Sequence, residues 1–317
     1  MNFSKSLIPL LLCTFALGTC SDTPYQYRQV LTIANTVEAP LLSIHHHIRY
    51  SPRPDDTFEF PIKEGEIGPY LPLYSGDLGY PFACSSLESG LGQPEIDNHE
   101  LLGTPVFKQQ NGQLTNHVLG FSKDCLVKTQ IRFYIAKNEN EYREVSDLTS
   151  LKLADYETLL RVEQGSINRY IYAIMMPIAA SEITDRKASS LWNKRLIYQF
   201  AGGVGIGFLQ GKLDPTQLIE RRFAQLKKGY AVVSSSGNKT SYTYNMLQAE
   251  ETAVRVKKQF IALYGEPLYT VGIGGSGGGL AQYLLAQNAP GLIDGALPLY
   301  SYPDMVSQTL YALDCDL

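Results

Sequence analysis

The stretch Leu268-Tyr-Thr-Val-Gly-Ile-Gly274-Gly275-Ser276-Gly277-Gly278-Gly279 decides how this chain is read. Apolar, strand-forming residues run into Gly-Gly-Ser-Gly-Gly, and a helical stretch from Leu280 to Ala289 follows. A serine at such a strand-to-helix turn is held in a strained backbone conformation with its hydroxyl projecting from the end of the sheet, so G-x-S-x-G in this context predicts a nucleophile elbow. Side chains two positions either side of the serine would collide where strand and helix cross, and Gly274 and Gly278 remove them. Each glycine inside a helix is worse than alanine by about 1 kcal/mol. Gly277, Gly278 and Gly279 are therefore placed for something other than helix stability.

The same residues contain Gly272-x-Gly274-x-x-Gly277, which matches a dinucleotide fingerprint. That fingerprint belongs to the first βα turn of its sheet, and strand-like segments at Tyr170 to Met176, Leu196 to Phe200 and Ala231 to Val233 come earlier here. A tight structural turn is the third reading. The elbow is the one that accounts for both the serine and the flanking glycines.

From about residue 165 apolar strands alternate with helices. Leu268 to Ile273 and Gly295 to Tyr300 join the three strands just named. Pro215 to Lys228 reads as a helix with Asp214 as its N-cap and Gly229 at its end, and Leu247 to Tyr264 as a second, ended by Gly265-Glu-Pro267. This alternation predicts a mostly parallel sheet covered on both faces. Residues 21–150 carry shorter alternating runs, among them Gln29 to Ile33, Leu42 to Ile48 and Thr129 to Ile135, broken by Pro, Gly, Asp and Asn clusters, so a β-rich or loop-rich N-terminal region is expected. The partial α/β domain then occupies 151–317.

The strand Leu196 to Phe200 runs into Ala201-Gly202-Gly203-Val-Gly205-Ile-Gly207. An α/β-hydrolase draws half of its oxyanion hole from a glycine-rich turn after an earlier strand, the other half being the N-H of the residue behind the nucleophile. Gly202 and Gly203, with Gly277, are the candidate donors, and Ser276 the candidate nucleophile. Glycine also serves close packing, and that reading of the loop stays open.

Composition narrows the partners. A chain of 317 residues, 44% hydrophobic and 18% charged, with a formal net charge of -4, is a folded protein without the basic surplus of a nucleic-acid binder. Lys5, the apolar run Leu7 to Leu17 and the small residues Gly18 and Thr19 read as an export signal over residues 1–20, a run too short to span a bilayer. Two processing routes compete: a signal-peptidase cut after Ala16-Leu-Gly18, and lipid attachment at Cys20. Either way the protein is expected outside the cytoplasm, in the periplasm, in the medium or anchored by lipid. Of the five cysteines, Cys84 and Cys125 sit in similar turn-rich surroundings, and an exported chain favours pairing them. Cys315 then lacks a partner.

The segments Tyr80-Pro-Phe-Ala-Cys84, Glu88 to Pro94, Gly120-Phe-Ser-Lys-Asp-Cys125, Gly165-Ser-Ile-Asn-Arg169, Gly202-Gly203, Gly274 to Gly279, Gln282 to Asn288 and Asp294-Gly295 together resemble a family of exported bacterial proteins related to tannase and hydroxybutyrate-oligomer hydrolases, itself known as a domain of unknown function. The resemblance covers roughly residues 80–317. It implies an α/β-hydrolase fold, Ser276 as the nucleophile and a disulfide between Cys84 and Cys125; it implies no cofactor and gives no particular ester as substrate.

One departure stands out. The triad of this fold follows the chain order Ser, acid, His, yet all five histidines, His45, His46, His47, His99 and His117, precede Ser276. Completing the sheet after the elbow takes at least two further strand and helix units of about 30 residues each, more than Gly277 to Leu317 provides. Truncation is the simplest account, and Gly295 to Tyr300 is then an edge strand that has lost its neighbour. Asp304 is the candidate acid, or else the N-cap of a following helix. His45 and His47 would share one strand face, a spacing compatible with a metal pair, but no third ligand recurs at a diagnostic spacing. Two functions follow: an exported ester hydrolase acting through Ser276 and inactive in this form, or a catalytically silent binding or surface protein of hydrolase ancestry.

Overall fold

The computed structural model describes residues 53–303 apart from 78, 149, 150, 152, 155, 156, 185, 186, 206–208 and 244. The expected signal, the strands at Gln29 to Ile33 and Leu42 to Ile48, and the residues Cys20, His45, His46, His47, Asp304 and Cys315 lie outside the described residues. The elements below belong to one unit, Pro54–Leu317.

Two strands, β1 (Thr104–Gln110) and β2 (Gln113–Ser122), form an antiparallel hairpin. Its turn is Asn111-Gly112, both at positive φ, the pairing a tight hairpin demands. The main sheet has eight strands among the described residues. They are β3 (Gln130–Ala136), β4 (Tyr142–Val145), β5 (Thr158–Ile167), β6 (Tyr170–Pro177), β7 (Arg195–Ala201), β8 (Ala231–Lys239), β9 (Tyr269–Gly275) and β10 (Gly295–Leu299), in the spatial order β10-β9-β7-β8-β6-β5-β3-β4. The four strands β10, β9, β7 and β8 run parallel, as the alternation with helices requires. Three helices supply the crossovers: α1 (Thr216–Leu226), α2 (Met246–Tyr264) and α3 (Gly277–Asn288).

Two expectations are corrected here. Tyr170 to Met176, read as part of the parallel sheet, runs antiparallel to both of its neighbours, β5 and β8. It is the second arm of a hairpin whose turn, Asn168-Arg169, has both residues at positive φ. A division near residue 150 does not separate the sheet either, because β3 and β4 extend it through antiparallel pairing with β5.

Period-2 alternation assigns the faces. On β7, Leu196, Tyr198 and Phe200 point into the core shared with Val256 and Phe260 of α2 and Leu285 of α3, and the Tyr198 and Phe200 rings stack at 4.5 Å. Ile197 points the other way, onto Leu218, Ile219, Phe223 and Leu226 of α1. Asn245 caps α2 by accepting from Gln248 N at 3.1 Å, and Gly265 closes it at φ 89°. The N-cap of α1 is Pro215 and not the expected Asp214, whose carboxylate accepts from Thr216 N at 3.0 Å from one residue further out.

Cys84 and Cys125 are bonded, with Cα atoms 5.2 Å apart. Beside the bridge, Arg169 lies 3.8 Å over the Phe82 ring, pairs with Asp124 at 3.1 Å and donates to the carbonyls of Tyr80 and Lys123. The two disulfide loops are thus clamped to the β5-β6 turn. Residues 54–75 cross α2 in the same manner. Arg255 meets Asp56 and Glu251, both at 2.9 Å, while Glu251 also accepts the N-H groups of Leu73, Tyr74 and Ser75.

Candidate active site

Ser276 lies between the end of β9 and the first turn of α3, at φ 54° and ψ -128°. An L-residue there costs of order 1 to 3 kcal/mol and persists only where its surroundings dictate it. They do so from both sides. The Ser276 N-H donates to Leu299 O at 3.1 Å, and its carbonyl accepts from Gly279 N at 2.8 Å and Leu280 N at 3.1 Å. Strand β10 therefore holds the turn that β9 and α3 form.

The glycines around it mark close backbone approach. A Cβ on Gly278 would lie 2.9 Å from both N and C of Ala201, and one on Gly274 would lie 2.9 Å from Phe200 Cβ and O. The collision these glycines avoid is chiefly with the end of β7, a third element beyond the strand and helix that the sequence invoked. A Cβ on Gly277 would overlap the Thr240 hydroxyl. The glycines of the dinucleotide pattern are filled in the same way, since Gly272 faces Gln282 and Phe200.

After β7 the chain turns through Gly202 and Gly203, the latter at φ 130°. A Cβ on Gly202 would stand 2.7 Å from Gly275 O, 2.8 Å from Gly277 N and 3.0 Å from Ser276 Cβ, so this loop and the elbow touch. Thr240 ties the loop down by donating to Gly203 O at 2.7 Å. Gly277 is buried, and among the described residues its N-H donates no hydrogen bond. A buried first-turn N-H at a helix N-terminus is a ready partner for negative oxygen.

Ser276, Gly202, Gly274 and Gly275 line one cavity of about 570 Å³, within the range of small-molecule sites. The Ser276 hydroxyl lies 3.3 Å from the Tyr302 hydroxyl. Sequence reading missed Tyr302 because nothing in Ser301-Tyr-Pro303 marks a return to the elbow. Thr240 and the basic residues of the cavity, Lys212, Arg221, Arg222 and Lys239, were missed for the same reason: their proximity is tertiary. No imidazole hydrogen-bonds Ser276 among the described residues. The His99 ring packs against Gly120, and His117 is exposed on β2.

Residues 68–317 match a tannase-like family of unknown function (DUF6351). Among solved structures, a tannin acyl hydrolase from Aspergillus niger is similar over 53% of this chain and 31% of its own, at 15% identity and a TM-score of 0.31. An esterase from Aspergillus oryzae is similar over 54% and 34%, at 11% identity and 0.30. The peroxisomal alpha-beta-hydrolase Lpx1 from Saccharomyces cerevisiae is similar over 55% and 44%, at 14% identity and 0.29. The chain thus spans less than half the length of these three structures. No curated protein matches. The fold is α/β-hydrolase-like: a mixed central sheet, parallel around the elbow, with helices on both faces.

Proposed function

This chain belongs to that tannase-like family, and from this premise and the geometry of Ser276 we propose an exported serine hydrolase of carboxylic esters acting through an acyl-enzyme on Ser276. The observation that carries the reading is the strained Ser276 at φ 54°, opening into the same cavity as Gly202, with the Gly277 N-H, which donates no hydrogen bond among the described residues, behind it. A serine that only caps a helix has no need of that backbone conformation.

In the proposed reaction Ser276 Oγ attacks the ester carbonyl carbon, and the carbonyl π electrons move to its oxygen. That oxygen is held by the N-H of Gly277 and by an N-H of the Gly202-Gly203 loop. Collapse breaks the bond to the alcohol oxygen, which leaves with the proton taken from the serine. Water then adds to the acyl-enzyme, the acid departs and the hydroxyl is restored. Each oxyanion donor of this kind contributes about 10²- to 10³-fold in kcat.

The proton acceptor is the part that the described residues do not supply. Tyr302 offers Ser276 a hydroxyl partner, not a base. With a nucleophile and oxyanion donors but no imidazole at Ser276 among the described residues, the expected rate is slow, near the residual 10³- to 10⁴-fold over water, roughly, that survives loss of a triad member. Export is supported by the Cys84-Cys125 bridge. Among the described residues no helix is long and apolar enough to cross a membrane.

Imidazole supplied in solution tests this reading. Turnover of p-nitrophenyl acetate, corrected for imidazole's own catalysis, should rise with added imidazole in the unsubstituted protein and stay flat in Ser276→Ala. Equal rates in the two proteins would instead leave a binding protein of hydrolase ancestry.

A further inference from the structure

Four cations, Lys212, Arg221, Arg222 and Lys239, line the cavity that Ser276 opens into, and among the described residues no aspartate or glutamate does. This occurs in a chain whose formal net charge is -4. Two of the most deeply buried cations elsewhere in the fold differ from these. Arg169 is matched by Asp124 at 3.1 Å, and Arg255 by Asp56 and Glu251. Arg222 is half-buried, yet its guanidinium donates to the neutral amide of Gln199 at 2.7 Å, with Arg221 next to it in sequence. Burial first, and the like charge of Arg221 second, disfavour the charged form of Arg222. Lys239 donates to the Tyr242 hydroxyl at 3.3 Å and sits over that ring, with no carboxylate partner among the described residues. It belongs to the end of β8, where it pairs with Ala201, the residue before the oxyanion loop.

A half-buried charge held by a neutral partner is a cost to the fold unless something else compensates it. Arginine presents a planar fork of donors that matches a carboxylate with two parallel hydrogen bonds. We propose that the ester bound beside Ser276 carries its own carboxylate, which is received by Arg222, Arg221, Lys212 and Lys239. The substrates are then monoesters of dicarboxylic acids. This rests on the ester-hydrolase reading for where the scissile bond lies, but the anion site itself does not require turnover.

The test is equilibrium binding to the Ser276→Ala protein, followed by NMR titration with two probes, monomethyl glutarate and its neutral amide analogue. The monoester should bind about tenfold more tightly than the amide, the range expected of one charge-assisted contact. That preference should shrink in high salt and disappear in Arg221→Gln/Arg222→Gln. Should the double variant fail to fold, the exposed pair Lys212→Gln and Arg221→Gln replaces it, with the preference falling severalfold. Equal binding of the two probes, absence of binding by both, or a preference unchanged by the substitutions would overturn the proposal. Failure of the hydrolase reading appears separately, as absence of Ser276-dependent turnover while the anion preference stands.

Discussion

Replacing Gly278 with alanine sets two opposing effects against each other at the elbow. Gly278 lies in the first turn of α3, where alanine would gain at most about 1 kcal/mol of helix propensity. Its new Cβ, however, would sit 2.9 Å from N and C of Ala201 and 3.1 Å from Ala201 Cα. These are backbone atoms in the last residue of β7, fixed by the parallel ladder with β8, and no side-chain rotation relieves them. Overpacking of this kind costs about 1 to 3 kcal/mol. The clash wins, and the expected result is a net destabilisation of about 1 kcal/mol, read as a lower urea midpoint at unchanged slope. A variant as stable as the parent, or more stable, would refute the claim that α3 and the end of β7 are locked together at this glycine.

Three further outcomes follow from the same structure. Gly202→Ala places a methyl 2.8 Å from Gly277 N, where the oxyanion is proposed to sit, and 2.7 Å from Gly275 O, so it should lower imidazole-assisted turnover by about 10²- to 10³-fold and, like Gly278→Ala, lower the urea midpoint by the equivalent of about 1 to 3 kcal/mol. Replacing Cys84 and Cys125 with alanine opens a loop of sequence separation 41 and should cost about 4 kcal/mol on the chain-entropy model, measured by chemical denaturation; a loss below about 1 kcal/mol would contradict it. Asp56 is a further point of pH dependence. Burial works to raise its pKa, but the hydrogen bond and charge of Arg255 prevail and hold it below the ordinary value. Its contribution is therefore present above the unfolded aspartate pKa of about 3.9 and is lost as pH falls through the lower folded value. Asp56→Asn should be destabilised at neutral pH by about 1.5 to 3 kcal/mol, the loss of a charged hydrogen bond while Arg255 keeps Glu251 as its partner, and the gap to the parent should narrow in acid.

The parallel half of the sheet was legible because each of its strands is bounded by strong punctuation. Gly229, Gly265 and the elbow glycines proved to be caps or close approaches, while Asp214 stands one residue before the N-cap, Pro215. What stayed hidden was direction and pairing. Tyr170 to Met176 reads as an apolar strand whichever way it runs, and only the Asn168-Arg169 turn, two non-glycine residues at positive φ, makes it a hairpin arm. Its partner β5 escaped notice because Arg161, Glu163 and Gln164 interrupt the apolar pattern. In the fold these side chains are buried, Glu163 accepting from Tyr172 and Gln259 and Gln164 donating to Leu213 O. At the site, Ser276 and its glycines were readable as a motif, because the turn imposes residue types at fixed spacing. Tyr302, Thr240 and the four cations share no spacing with the elbow and converge on it only through the tertiary fold.

The central claim, that Ser276 is the nucleophile, is tested most directly by mass mapping after prolonged exposure to a fluorophosphonate with and without added imidazole. The account predicts a single phosphonyl adduct on Ser276, slow to form alone and faster with imidazole, and no adduct at that peptide in Ser276→Ala. No adduct on Ser276, or an adduct elsewhere that persists at equal yield in Ser276→Ala, would contradict it.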